Sequence, residues 1–93
     1  MIISFRNKET ERFYVSGKSK KYPQTIIKVA LRKLDYLNAA KDLNDLKVPP
    51  GNRLEMLRGN FENMYSIRIN KQYRIIFSFS NSNVSDVEII DYH

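Results

Sequence analysis

Apolar and polar residues alternate through residues 64–70 and 73–80, and more loosely through 84–92. A period of two marks a strand with one buried face, so these segments predict three consecutive antiparallel strands. Register follows from asking which pairings keep the apolar side chains together. A three-residue turn at Asn70-Lys71-Gln72 pairs Ile69 with Tyr73 and Ile67 with Ile75, and it sets Arg68 opposite Arg74 on the other face. A two-residue turn at Asn70-Lys71 pairs Ile67 with Arg74, mixes the faces and is rejected. In the next hairpin, across a polar loop at 80–85, Phe77 pairs with Ile89 and Phe79 with Val87. That register places Tyr92 opposite Arg74. The non-core face then carries a row of Arg68, Arg74 and Tyr92, ending beside Asp91-Tyr92-His93.

Like charges directly opposite each other on a sheet are destabilising. Either the two arginines fan out into water over a solvated face, or an anion sits between them. On the second reading Arg74→Ala keeps the stability of the free protein or raises it by about 0–1 kcal/mol, while disabling the anion site.

Upstream, the apolar period changes. Residues 1–5 form a short apolar segment, an edge strand or one that slots into the sheet. Asn7 caps a helix over 8–15 that Ser16-Gly17 stops, with Phe13 and Tyr14 as its packing residues. Lys18-Ser19-Lys20-Lys21 is a basic link. Pro23 suits the first turn of a longer helix reaching about Ala40. Ile26, Ile27, Ala30, Leu31, Leu34 and Leu37 form its apolar stripe, with Lys28, Arg32 and Asp35 on the wet side. Residues 42–52 read as a connecting loop because of Pro49-Pro50-Gly51. A short strand follows at 53–58, and Gly59-Asn60 begins a turn. The fold class is α+β: an N-terminal strand and a two-helix hairpin packed on one face of a mainly antiparallel sheet. The packed face carries Tyr65, Ile67, Ile69, Tyr73, Ile75, Phe77, Phe79, Val87 and Ile89. The face bearing the arginines is left open.

Ninety-three residues predict one domain over 1–93. With no cysteine and a single histidine, a disulfide framework, a thiolate metal site and a histidine metal cluster are excluded, and no cofactor is expected. No apolar run has membrane-spanning length and Met-Ile-Ile-Ser-Phe does not read as a signal peptide, so a soluble intracellular protein is expected. The net charge of +6, with six tyrosines and five phenylalanines, suits a polyanionic partner such as nucleic acid, and equally an acidic protein.

Several strings stand together in order: Phe5-Arg6-Asn7-Lys8 with Glu11-Arg12-Phe13-Tyr14, and Leu54-Glu55-Met56-Leu57-Arg58-Gly59. Tyr65-Ser66-Ile67-Arg68-Ile69-Asn70, Tyr73-Arg74-Ile75-Ile76-Phe77 and the ending Asp91-Tyr92-His93 follow. In this order and spacing the chain resembles the HigB toxins of the RelE/ParE-like superfamily along essentially its whole length. The resemblance implies a bacterial cytoplasmic toxin of a type II toxin–antitoxin pair. Such toxins enter the A site of the 70S ribosome and cut mRNA. They are neutralised by a HigA-like helix-turn-helix antitoxin, through which alone they reach operator DNA.

Cleaving RNA requires activating a 2′-hydroxyl, stabilising charge on the phosphate and protonating the leaving 5′-oxygen. Arg58, Arg68 and Arg74, with Arg53 and Lys71 beside them, suit phosphate binding. Tyr92 suits stacking on a splayed base. His93 has the unperturbed pKa for acid–base work near neutrality, with Asp91 orienting or acidifying its surroundings. Two positions depart from the family: Glu55 stands where relatives often have histidine, and Arg58 where they have lysine. Glu55 is then either the replacement base or a surface carboxylate paired with Arg53 or Arg68. The rival functions are a non-catalytic toxin of the same fold, gyrase-directed or degenerate, and a basic RNA-binding domain.

Overall fold

The computed structural model describes residues 1–92. Helix α1 spans Lys8–Ser16. Asn7, in extended backbone, accepts a hydrogen bond from the Thr10 amide at 3.0 Å. Glu9 and Glu11 lie in the first turn, where the helix dipole favours negative charge. Gly17 ends the helix at φ 74, a left-handed conformation that glycine adopts without a Cβ clash, and its amide bonds the Phe13 carbonyl at 2.8 Å. Helix α2, Gln24–Ala39, starts after Pro23 and buries Ile26, Ala30, Leu34 and Leu37. Lys33 is buried with them.

Four antiparallel strands make one sheet in chain order: β1 Glu55–Met56, β2 Tyr65–Arg68, β3 Tyr73–Ser80 and β4 Asn83–Asp91. Both helices pack on one face. Phe13, Ile26, Leu34 and Leu37 meet Ile67, Ile75, Phe77, Val87 and Ile89, while Tyr65, Tyr73 and Phe79 are partly buried around them. The N-terminal segment makes two isolated parallel bridges to β4, Ile2 to Val84 and Phe5 to Val87, instead of a full strand. The expected strand at 53–58 shortens to β1, and the expected loop at 42–52 contains two 3-10 turns, Leu43–Lys47 and Pro50–Asn52. Asp42 and Asp45 cap the first of these turns reciprocally.

The β2–β3 register is as the alternation requires, with Ile67 opposite Ile75 and Arg68 opposite Arg74. The β3–β4 register differs by two residues toward the chain end, where Ile75 faces Ile89 and Arg74 faces Ile90 instead of Tyr92, and by three near the turn, where Phe79 faces Val84 instead of Val87. The cause is a tight turn. Ser80 pairs with Asn83, and the turn residues Asn81 and Ser82 both have positive φ, as a two-residue hairpin requires. That turn alone would put β4 out of phase. The register shift between Ile76 and Ser78 corrects it, since Phe77 alone stands opposite Asp86 and Val87. Asp86 takes φ 54, and Val87 returns to the core.

The second face of the sheet is not open. Ile76 is fully buried there beneath Leu57 and Met64, with Phe61 and Ile90 packed alongside. Arg6 extends this cover, 5.2 Å above the Phe61 ring and paired with Glu88 at 3.3 Å. Residues 57–64 thus close one half of the face, and the other half forms a cleft.

Candidate functional site at the open half of the sheet

The cleft has a volume of about 280 Å³ and is lined by Arg53, Glu55, Arg68, Asn70, Lys71, Arg74 and Tyr92. Strand parity explains the gathering. Glu55 lies opposite Ser66 and Arg68 opposite Arg74, so all four share the face away from the helices. Asn70 and Lys71 come from the β2–β3 turn. Asn70 Oδ1 fixes that turn by accepting from the amides of Gln72 at 2.9 Å and Tyr73 at 2.7 Å. The same turn holds the end of the chain: Tyr92 donates its amide to the Gln72 carbonyl at 2.6 Å, and Gln72 Nε2 donates to Asp91 Oδ2 at 3.0 Å.

Arg74 is the centre. It is only 7% exposed. Its Nε donates to Ser66 Oγ at 2.9 Å and its Nη2 to the Arg53 carbonyl at 2.7 Å. Nη1 lies 3.8 Å from Glu55 Oε1, and the guanidinium sits 5.3 Å from the Tyr92 ring centre. Glu55 lies by Arg74, not by the Arg53 or Arg68 that the surface-carboxylate alternative named. Arg74 therefore does not fan into water, and its repulsion with Arg68 is offset by bonds on three sides. Against the expected neutral or stabilising Arg74→Ala, removing the fork strands the buried Ser66 Oγ and takes the donor from the partly buried Arg53 carbonyl.

Of the residues singled out by sequence, Arg53, Glu55, Arg68, Lys71, Arg74 and Tyr92 line this cleft. Arg58 instead borders a separate hollow with Met56, Leu57, Gly59, Glu62 and Asn63. Asp91, one residue out of phase with Tyr92, lines a third hollow with Lys21, Tyr22 and Tyr73. His93 lies outside the described residues. Among the described residues no group of three or more His, Cys, Asp or Glu is placed to hold a metal ion. No helix among them is long and apolar enough to cross a membrane.

Sequence reasoning missed Asn70, Ser66, Asn52 and Lys33. Lys33 had a legible signal: it falls three residues after Ala30 and four before Leu37, inside the apolar stripe. Its ammonium donates to Asn52 Oδ1. Burial lowers its pKa from the ordinary 10.5, and the positive charges of Arg32 and Arg68 add to the shift. Below the ordinary lysine value the unfolded chain then binds more protons than the native state, so stability rises with pH across the window from the lowered pKa up to 10.5. The stability of the wild type relative to Lys33→Met is expected to climb through that window in denaturant titrations. A difference that stays flat, or falls, would contradict a desolvated ammonium.

Residues 3–93 match the RelE-like toxins of the type II toxin–antitoxin system HigB. Toxin HigB-1 of Vibrio cholerae is 45% identical over 80 residues, which cover 85% of this chain and 84% of that protein. An uncharacterized protein of Haemophilus influenzae is 43% identical over 84 residues, covering 89% of this chain and 83% of its own length. The heterotetrameric YoeB-YefM toxin–antitoxin complex from Staphylococcus aureus contains a chain that superposes with TM-score 0.62 at 24% identity, covering 100% of this chain and 95% of that one. YafQ from E. coli superposes with TM-score 0.59 at 14% identity, covering 98% of this chain and 91% of that one. At these identities the two structures speak for the fold, whereas the family match and the Vibrio relative speak for descent. The chain belongs to the HigB family of RelE-like toxins, the toxin component of type II toxin–antitoxin systems.

Proposed function

We propose that the chain is a ribosome-dependent endoribonuclease that cuts mRNA in the A site of the 70S ribosome. The supporting observation is the cleft in which Arg53, Arg68, Lys71 and Arg74 surround the single carboxylate of Glu55 beside the Tyr92 ring. Four cations against one carboxylate suit a phosphodiester, and the fixed Arg74 guanidinium suits the charge that builds on it. In this reading Glu55 takes the proton from the 2′-hydroxyl. The 2′-oxygen forms a bond to phosphorus, and the bond from phosphorus to the 5′-oxygen breaks. His93 supplies the proton to the departing 5′-oxygen. Tyr92 stacks on a base splayed out of the strand. With one histidine in the chain, the geometry of the reacting strand is left to the ribosome.

A toxin of this class has an antitoxin. The net charge of +6 favours a partner whose acidic residues steer toward the basic surface. We assign that role to a HigA-like helix-turn-helix protein in the bacterial cytoplasm, through which the toxin reaches operator DNA. Expression of the chain without its antitoxin is expected to arrest bacterial growth, and co-expression to restore it. Normal growth with the intact chain detected in the soluble fraction would count against the toxin activity. Arrest with intact mRNA and damaged DNA supercoiling would instead favour a gyrase-directed toxin.

A further inference from the structure

Behind the cleft lies a buried cation to which the proposed chemistry gives no part. Lys33 is 5% exposed although it projects from the apolar stripe of α2. A methionine there would fill the same space without the cost of desolvating an ammonium. The bond that compensates Lys33 goes to Asn52 Oδ1, and Asn52 is itself fully buried. Asn52 Nδ2 donates in turn to the carbonyls of Leu46 at 3.1 Å and Val48 at 3.4 Å. Asn52 thereby pins both ends of the bend between the two 3-10 turns to α2.

The next residue turns that anchor toward the site. Arg53 holds φ 46, a left-handed conformation unusual for a side chain of its size. Its amide donates to the Pro50 carbonyl at 3.1 Å, and its own carbonyl accepts from Arg74 Nη2 at 2.7 Å. A strained backbone persists where its surroundings over-determine it. Here the surroundings are the Asn52 anchor on one side and the Arg74 fork on the other. We propose that Lys33 is a positioning residue for Arg74, acting through the Asn52 side chain and the left-handed backbone of Arg53. The relay is Lys33 to Asn52, Asn52 through the chain to the Arg53 carbonyl, and that carbonyl to the guanidinium. Its effect on cleavage rests on the nuclease reading; its effect on Arg74 does not.

Lys33→Met and Lys33→Gln test it, since the two side chains have similar length and only glutamine can donate to Asn52 Oδ1. The Arg74 Nε–H resonance of the purified chain reports the fork directly. In a folded Lys33→Met this resonance is expected to shift and to exchange faster with solvent, and Lys33→Gln is expected to bring it part of the way back. In translation-coupled cleavage, kcat of Lys33→Met is expected to fall about tenfold, with KM little changed, as a small misplacement of a charge-stabilising group does. An Arg74 signal identical in wild type and Lys33→Met overturns the relay, as does a loss that appears only in KM. If Lys33→Met does not fold, hydrogen exchange on the unaltered chain decides. Asn52 Nδ2–H and Arg74 Nε–H are then expected to open together, and independent opening overturns the proposal. A wild type that does not cut mRNA, with an Arg74 signal that still answers to Lys33→Met, would sink the nuclease reading and leave the relay standing.

Discussion

Arg74→Ala is expected to lower translation-coupled mRNA cleavage by about 10²–10³-fold, the usual loss when a fixed donor to a developing anion is removed. It is also expected to lower stability by about 1–3 kcal/mol, because Ser66 Oγ and the Arg53 carbonyl lose their buried donor. The two effects are separable. A variant destabilised by that amount remains mostly folded at low temperature, where melting curves give the folded fraction and cleavage is scaled to it. Arg68 is half-buried at the cleft wall opposite Arg74, and its side chain makes no hydrogen bond or ion pair among the described residues. Arg68→Ala should therefore lose activity with little change in stability. An Arg74→Ala that cuts at the wild-type rate per folded molecule would remove Arg74 from the chemistry.

Ile75→Ala should show the opposite balance. Ile75 is fully buried on the helix-packed face of β3, paired with Ile67 of β2 on one side and Ile89 of β4 on the other. Truncation loses transfer energy and leaves a cavity, together about 2–5 kcal/mol. Activity should fall only with the folded fraction, and at low temperature it should return toward wild type. A specific loss of cleavage in fully folded Ile75→Ala would mean that the sheet core is coupled to the cleft in a way that packing alone does not explain.

These expectations show where the sequence was readable. The Arg68–Arg74 pairing was legible because one alternative turn exchanged the faces and could be rejected by parity. The β3–β4 register was not. Pairing Ile89 with Ile75 or with Phe77 leaves every side chain on the same face, so alternation is blind to a slip of two. What decides is the Asn81-Ser82 turn and the extra residue at Asp86, a local backbone matter with a weak sequence signal. The placing of Tyr92 survived that error because a two-residue shift keeps it beside Arg74, where it stacks at 5.3 Å.

The covering of the second face was also hidden. Leu57 and Met64 stand at the ends of segments read as strands and Phe61 in the turn between them, so no alternation marks them as a cover, and their packing on Ile76 is a long-range fact. So is the burial of Arg74, which depends on the backbone of Arg53 arriving from the loop. Sequence could name most residues of the cleft, since they stand on one side of neighbouring strands. It could not say which arginine was fixed and which was free, because that depends on the bonds each one makes.

The measurement that bears most directly on the function compares cleavage of one mRNA in two forms: translated by 70S ribosomes, and naked at the same concentration. Weak or absent cutting of the naked RNA and strong cutting confined to the translated frame are expected, since the ribosome holds the strand for in-line attack. Equal cutting of translated and untranslated RNA would contradict it.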